Sequence, residues 1–304
     1  MINDNDLRRW YYSIELQKGI FTKGNNFPNV VLTRKILKNI EVKNKCCLDI
    51  GTMEGLIPTL LKRRGAHHVF AYDRRADLSD KINLVKKAYN VDFHFIEGRS
   101  LNKLPEELKK KNFFPFDIIV FSGVLYHMFD PLGGLATIRG LVRNGGILLL
   151  ETGAVIDNAM AMYFNAEGRF YPWTNYFMAS LDALDYMLRF LRLKPLDVIY
   201  FKQGKKTPDG LQKCRVCIPS LAIDEPLKGN GDQWMNKDFQ TDFKEFLCWD
   251  ELKNTEPTIK YNTHNTNLII RKDTGSVDIY ETVVNTPEYP IKTEDSILKL
   301  NDLS

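Results

Sequence analysis

The chain has 304 residues, 44% of them hydrophobic and 26% charged, with a formal net charge of +4 and a pI near 8.6. That is the make-up of an ordinary globular protein, long enough for one large α/β domain with an appendage or for two modest domains. The charge is mildly basic and well below the concentrated positive stripe of a protein that lives on nucleic acid, although an RNA substrate is not excluded by it. The stretch Met1 to Asp6 is acidic and polar where a secretory leader needs basic then apolar residues, and no run reaches the length of a membrane span. A cytoplasmic enzyme without a membrane partner is expected.

In chain order, residues 7–16 and 31–40 read as a short helical cap, within an N-terminal unit of residues 1–44. From residue 46 to 151, apolar runs alternate with helical patterns. The runs at 46–50, 68–72, 92–96, 116–121 and 146–151 read as strands, and 55–64, 78–89, 104–111 and 132–143 as helices between them. Such alternation predicts a parallel sheet with helices on both faces. Residues 154–178 form an insertion dense in aromatics, among them Tyr163, Phe170, Tyr171, Trp173 and Tyr176, and loops after strand ends are where α/β proteins build pockets. Ser180 is placed to cap a helix over 180–191, and Leu196 to Phe201 and Cys214 to Ile218 read as two further strands. The core then spans 45–222. Residues 223–304 read as a C-terminal β-rich extension: 267–271 and 277–284 flank a turn-like segment in a hairpin, and the last dozen residues are expected to be disordered. The five cysteines are an odd number in apolar runs and read as reduced core residues. Cys214 and Cys217 sit three apart in a strand and so face opposite sides, which argues against joint metal binding.

Two features carry chemistry. The first strand runs into Asp49-Ile50-Gly51-Thr52-Met53-Glu54-Gly55, and Asp73 ends the second. A tight glycine turn lets backbone N–H groups and a helix N-terminus approach a nucleotide-like ligand, and an acid about 20 positions on suits a ribose diol. Met53 stands where a dinucleotide motif has its middle glycine. The blander readings are a plain surface turn, and an ion pair of Asp73 with Arg74 or Arg75. The second feature is Phe116 to Leu132, containing Gly123-Val124-Leu125-Tyr126-His127, followed by Leu141 to Thr152.

Together these segments resemble the class I S-adenosylmethionine-dependent methyltransferases, whose first motif reads acidic-x-Gly-x-Gly-x-Gly. They are similar in particular to the branch containing the tRNA wobble-uridine 5-oxyacetate (carboxymethyl) transferases, with which several small-molecule methyltransferases share the Gly-Val-Leu-Tyr-His signature. The resemblance covers roughly two thirds of the chain. It implies a doubly wound, seven-stranded, mostly parallel Rossmann-like sheet with an antiparallel edge pair, and a cap over the cofactor.

For the site, the resemblance implies S-adenosylmethionine held by Asp49, Gly51, Thr52, Met53, Gly55, Asp73 and Arg74. Arg99 or Ser100 would stand at the adenine, and Ser122 and Gly123 beside the sulfonium. His127 is the candidate base and Tyr126 its catalytic neighbour; a capping role for His127 is the alternative. Carboxy-S-adenosylmethionine is a second cofactor option, with Tyr126 and Arg215 meeting its extra carboxylate, but the branch's long N-terminal extension is missing before residue 46. Arg169, Tyr171, Trp173 and Asn175 are candidate acceptor contacts, against the reading that they only pack the insertion onto the core. The expected activity is methyl transfer to a small-molecule hydroxyl. A tRNA-modifying (carboxy)methyltransferase and a non-catalytic cofactor-binding subunit are the alternatives. A homodimer is one of the oligomeric states left open, and residues 225–304 read as a dimerising hairpin or an active-site lid.

Overall fold

A computed structural model describes residues 9–24, 28–98, 100–113, 115–157, 159–171, 175–223, 269–272 and 297–302. In chain order they form β1 (Glu15–Gln17), β2 (Ile20–Phe21), α1 (Pro28–Leu37), β3 (Cys46–Ile50), α2 (Leu56–Arg63), β4 (His68–Asp73), α3 (Ser79–Tyr89), β5 (His94–Glu97) and α4 (Leu104–Lys110). There follow β6 (Phe116–Ser122), α5 (Pro131–Leu141), β7 (Val142–Ile156), β8 (Met162–Phe164), β9 (Phe177–Ser180), α6 (Leu181–Phe190), β10 (Leu193–Pro195), β11 (Asp197–Lys202), β12 (Gln212–Ala222) and β13 (Ile269–Lys272).

Successive residues of a strand point to opposite faces, and here both faces are apolar. Leu48, Ile50, Phe70, Phe121 and Leu150 enter one buried cluster, while Cys47, Val69, Ala71, Val120 and Leu149 enter the other. A sheet apolar on both sides must be covered on both sides, which is what the alternating helices do. Seven strands take the order β5-β4-β3-β6-β7-β12-β11, the first five parallel and β12 antiparallel to both neighbours. This is the expected doubly wound α/β sheet. β13 adds an eighth strand, antiparallel to β11.

Four expectations need correction. Residues 9–16 are not helical: β1 and β2 form a hairpin through Lys18 and Gly19, with Gly19 at φ +75°. A two-residue glycine turn is a hairpin signal that outranks the helical spacing. The cap's helix runs from Pro28 to Leu37, not 31–40. β7 continues to Ile156 because β12 pairs with it from Gln212↔Ile156 to Leu221↔Ile147, and β8 and β9 extend the sheet from the insertion. Finally, residues 297–302 pack against the core, with Leu298 fully buried, where disorder was expected. The second strand of the expected C-terminal hairpin, 277–284, lies outside the described residues. No helix among the described residues is long and apolar enough to cross a membrane.

Candidate active site

Strand order reverses at β3, which has β4 on one side and β6 on the other, and crevices at such points lie outside the carboxyl ends of the strands. A cavity of about 690 Å³ opens there. Its walls come from the loops after β3, β4, β5 and β6, with Tyr11 and Tyr12 from the N-terminal segment and Tyr176 from the insertion.

The β3 loop is shaped by contact. Gly51 has φ +83°, and a Cβ placed on it would stand 2.4 Å from Val124 Cγ2, so a side chain fails here on conformation and on space. Met53 also takes a left-handed φ of 49°, keeping a glycine-like backbone despite its side chain, while its N–H donates to Asp73 Oδ2 at 2.9 Å. The amides of Gly51 and Thr52 donate to Tyr72 O at 2.8 and 3.1 Å, and that of Gly55 to Thr52 O. The expected approach of loop amides to a ligand is therefore corrected for Gly51, Thr52, Met53 and Gly55, whose N–H groups are taken by Tyr72 O, the Asp73 carboxylate and Thr52 O. Gly55 begins α2 behind the wall, packed on Phe93.

Asp49 is 2% exposed, and its Oδ2 and the hydroxyl of Thr52 have no hydrogen-bond partner among the described residues. Burial pushes the Asp49 carboxyl up to about 7; Thr52 opposes the shift and the Asp73 charge adds to it. A buried carboxylate oxygen left unpartnered costs stability and is the kind of group that marks a ligand site. Asp73 lies on the cavity wall. Its Oδ1 accepts from Arg75 N at 3.0 Å and its Oδ2 from Met53, which leaves each oxygen a lone pair. The guanidinium of Arg75 pairs with Asp77 instead. Arg74, Ser100 and Asn102 complete this side. Arg99 lies outside the described residues.

On the β6 side, Ser122 and Gly123 lead into a 3₁₀ turn, Leu125–His127, that brings Tyr126 and His127 to the cavity with ring centroids 4.4 Å apart. Asp130 caps α5 by accepting from Gly133 N at 2.8 Å, with Pro131 as first helical residue. Phe129, 76% exposed, stands at the rim with its ring 4.5 Å from that of Tyr176.

Several expected acceptor contacts are not on this wall. Arg215 is buried behind it, donating to Glu151 Oε1 from Nε (2.8 Å) and to Oε2 from Nη2 (2.6 Å). Arg169 pairs with Asp209 at 2.8 Å. Tyr171 stacks behind Tyr126 at 6.1 Å and donates its hydroxyl to Gln203. Asn175 offers its carbonyl to Asn165 Nδ2 at 3.0 Å. Asn165 also donates to Tyr171 O and accepts from Phe170 N, so one side chain ties the insertion together. Trp173 lies outside the described residues. Tyr11 and Tyr12 lie in the expected cap, Tyr176 in the aromatic insertion, and Glu54, Phe129 and Glu151 inside the quoted motif segments, but none of them was singled out for a role, because what each one touches has no local sign in the sequence.

A doubly wound sheet of this strand order, with two carboxylates gathered at its switch point, defines the class I S-adenosylmethionine-dependent methyltransferases. The chain belongs to the methyltransferase domain family, whose model matches residues 29–188, and is an enzyme. It is similar to the tRNA U34 carboxymethyltransferase of Shewanella sediminis (strain HAW-EB3), 30% identical over 161 residues, and to that of Pseudomonas paraeruginosa (strain DSM 24068 / PA7), 28% identical over 159 residues. These matches cover 52% and 51% of this chain and 47% of each relative, so the chain spans about half the length of the curated relatives it matches. Among solved structures, a methyltransferase-like protein of Bacillus halodurans C-125 superposes with a TM-score of 0.51 at 12% identity, covering 64% of this chain and 99% of its own. The N-terminal domain of EvdMO1 with S-adenosylhomocysteine bound superposes with a TM-score of 0.50 at 15% identity, covering 72% and 93%. At such identities the likeness concerns the fold.

Proposed function

We propose that the enzyme transfers a methyl group from S-adenosylmethionine to a hydroxyl oxygen of a small, flat acceptor. The observation that carries this reading is a switch-point cavity lined by Asp73 on one side and by Tyr126, His127, Phe129 and Tyr176 on the other, with the buried carboxyl of Asp49 in the strand that leads to it. The residues fit the cofactor on two counts: the buried Asp49 carboxyl has an oxygen without a hydrogen-bond partner among the described residues, and Asp73 presents two oxygens on the cavity wall that each keep a lone pair. In this reading Asp73 takes the ribose hydroxyls and Asp49 answers the amino group. Met53 and Arg74 flank the nucleoside, Ser100 and Asn102 offer polar groups to the adenine edge, and Ser122 and Gly123 border the sulfur.

When bound, the cofactor supplies a methyl carbon on a positively charged sulfur, open to in-line attack. The chain's own work is to align the acceptor oxygen, exclude water and accept its proton. His127, on the same wall, takes that proton, and the Tyr126 ring orients the acceptor. Arg215 has its fork on Glu151, which favours the plain cofactor over a carboxylated one. The acceptor side carries aromatic rings and one carboxylate, Asp130. The cations among the described lining residues, Arg74 and Arg75, follow Asp73 on the opposite loop. That distribution favours a neutral aromatic molecule over a polyanion. The names of the relatives favour a second reading, action on tRNA, which requires strongly salt-dependent RNA binding.

Calorimetry with S-adenosylhomocysteine tests the cofactor part: binding by the unaltered chain, weakened about tenfold or more in Asp73→Asn, where an N–H₂ would face the Met53 amide. An acceptor screen that follows S-adenosylhomocysteine release tests the rest. With the acceptor found, His127→Ala lowers kcat by about 10²- to 10⁴-fold at unchanged cofactor affinity. An unaltered chain that binds no cofactor sinks the proposal.

A further inference from the structure

The roof made by Tyr11 and Tyr12 is held from two directions by groups that the transfer chemistry does not use. From within the β3 loop, Glu54, fully buried, accepts the N–H of Tyr11 on Oε1 (2.8 Å) and that of Tyr12 on Oε2 (3.3 Å). Lys81 of α3 stands 3.6 Å from the same carboxylate and 5.6 Å from the centre of the Trp10 ring. From the outer side comes the end of the chain. Leu298 pairs with Ile14 as a parallel bridge, accepting from Glu15 N at 2.8 Å and donating to Ser13 O at 3.1 Å.

This short strap is tied to three helices. Arg34 of α1 donates to Ile297 O (2.8 Å) and pairs with Asp302 (3.0 Å); Arg63 of α2 donates to Leu300 O; and the Tyr89 hydroxyl of α3 donates to Leu298 O (3.0 Å). Leu298 itself is fully buried in the cluster that holds Trp10, Tyr12 and Ile14. A hairpin as short as β1–β2 is not stable alone. Thr22 closes the hairpin locally, its hydroxyl accepting from Ile14 N (2.8 Å) and donating to Tyr12 O (2.7 Å), and what holds the closed hairpin against the cavity is the pair of long-range grips.

We propose that residues 297–302 are a latch for the roof of the cofactor cavity, acting together with Glu54. With the strap docked, Tyr11 and Tyr12 stay against the cavity; with it gone, the roof lifts and the cofactor exchanges faster. The latch rests on the cofactor reading given above. Glu54, Leu298 and Asp302 are positioning residues, since none of them lines the cavity.

Stopped-flow release of S-adenosylhomocysteine, compared between the full chain, a chain ending at Ser296, and the point variants Glu54→Gln and Asp302→Asn, provides the test. In the truncated chain and in E54Q, the release rate rises about tenfold while association is unchanged or faster; D302N moves in the same direction by less. A merely structural defect would instead slow association and lower the bound fraction. Should the truncated chain fail to fold, Tyr89→Phe removes one strap contact from an intact chain and is read in the same way. Hydrogen exchange over residues 11–16 gives a readout that needs no ligand: these amides exchange faster in every variant. Unchanged release and unchanged exchange in E54Q and the truncated chain overturn the latch. If the full chain binds no S-adenosylhomocysteine, the cofactor reading fails, and exchange alone decides whether the strap holds the roof.

Discussion

Arg215 sets Nε and Nη2 on the two oxygens of Glu151 at 2.8 and 2.6 Å, and its guanidinium lies 4.9 Å from the centre of the Tyr126 ring. In the β7–β12 ladder Arg215 stands opposite Gly153, and Glu151 is two residues along on the same face. The arginine therefore reaches diagonally across the ladder to the carboxylate, while the space over Gly153 is taken by Met178 and Tyr171.

Removing one partner of this pair leaves a buried, uncompensated charge. Arg215→Met is expected to cost about 3–5 kcal/mol of folding stability. The double variant E151Q/R215M should recover much of the loss, because no bare charge remains. Guanidinium unfolding of the two variants decides the matter; a double variant less stable than R215M alone would contradict the account.

Asp49 should make stability depend on pH. Its carboxyl titrates near 7 in the folded protein against an ordinary value of 3.8, chiefly through burial. The folded state therefore holds a proton that the unfolded chain has lost, so the neutral form's contribution is complete below about pH 4 and fades as pH rises through 7. Each pH step of one between those two values is worth about 1.4 kcal/mol, so the whole swing is a few kcal/mol. Melting temperatures between pH 5 and 8 should fall for the unaltered chain and fall less for Asp49→Asn. Parallel curves would mean that Asp49 titrates normally.

Gly51 is constrained twice. Gly51→Ala forces a Cβ against Val124 Cγ2 and strains a φ of +83°, at a cost of about 1–3 kcal/mol. Adding Val124→Ala should return the steric part and leave the backbone part. Thermal shifts of G51A and G51A/V124A separate the two, and identical shifts would rule out the clash.

Asn165 holds the insertion through hydrogen bonds to Tyr171, Asn175 and Phe170. Asn165→Ala should loosen the segment that carries Tyr176 and leave the cofactor half untouched. Protease should cut residues 159–171 faster, with S-adenosylhomocysteine affinity by calorimetry within about twofold of the unaltered chain. A matching loss of cofactor affinity would show that the two halves are not separable.

The strands of the sheet were legible in the chain because each is a local run bounded by its own turn. β3, β4 and β6 fall within one residue of their expected bounds, and α3 and α6 are also close. The N-terminal segment was misread because helical spacing and a glycine hairpin compete over the same few residues. The acceptor contacts were misjudged for a different reason: an aromatic-rich insertion looks the same whether its rings face a cavity or each other. Here Asn165 turns the backbone so that Tyr176 faces in and Tyr171 stacks behind Tyr126.

The amino-acid order by itself determined the doubly wound class, the glycine turn after β3 and the two acids that flank it, since these rest on patterns within a strand or between neighbouring ones. Which groups reach the cavity was decided only in three dimensions. Arg215 meets Glu151, Glu54 meets Tyr11 and Tyr12, and Leu300 N meets Glu15 through ladder register and chain-end packing. Contacts made across 42 to 285 residues leave no periodic trace in the chain that makes them.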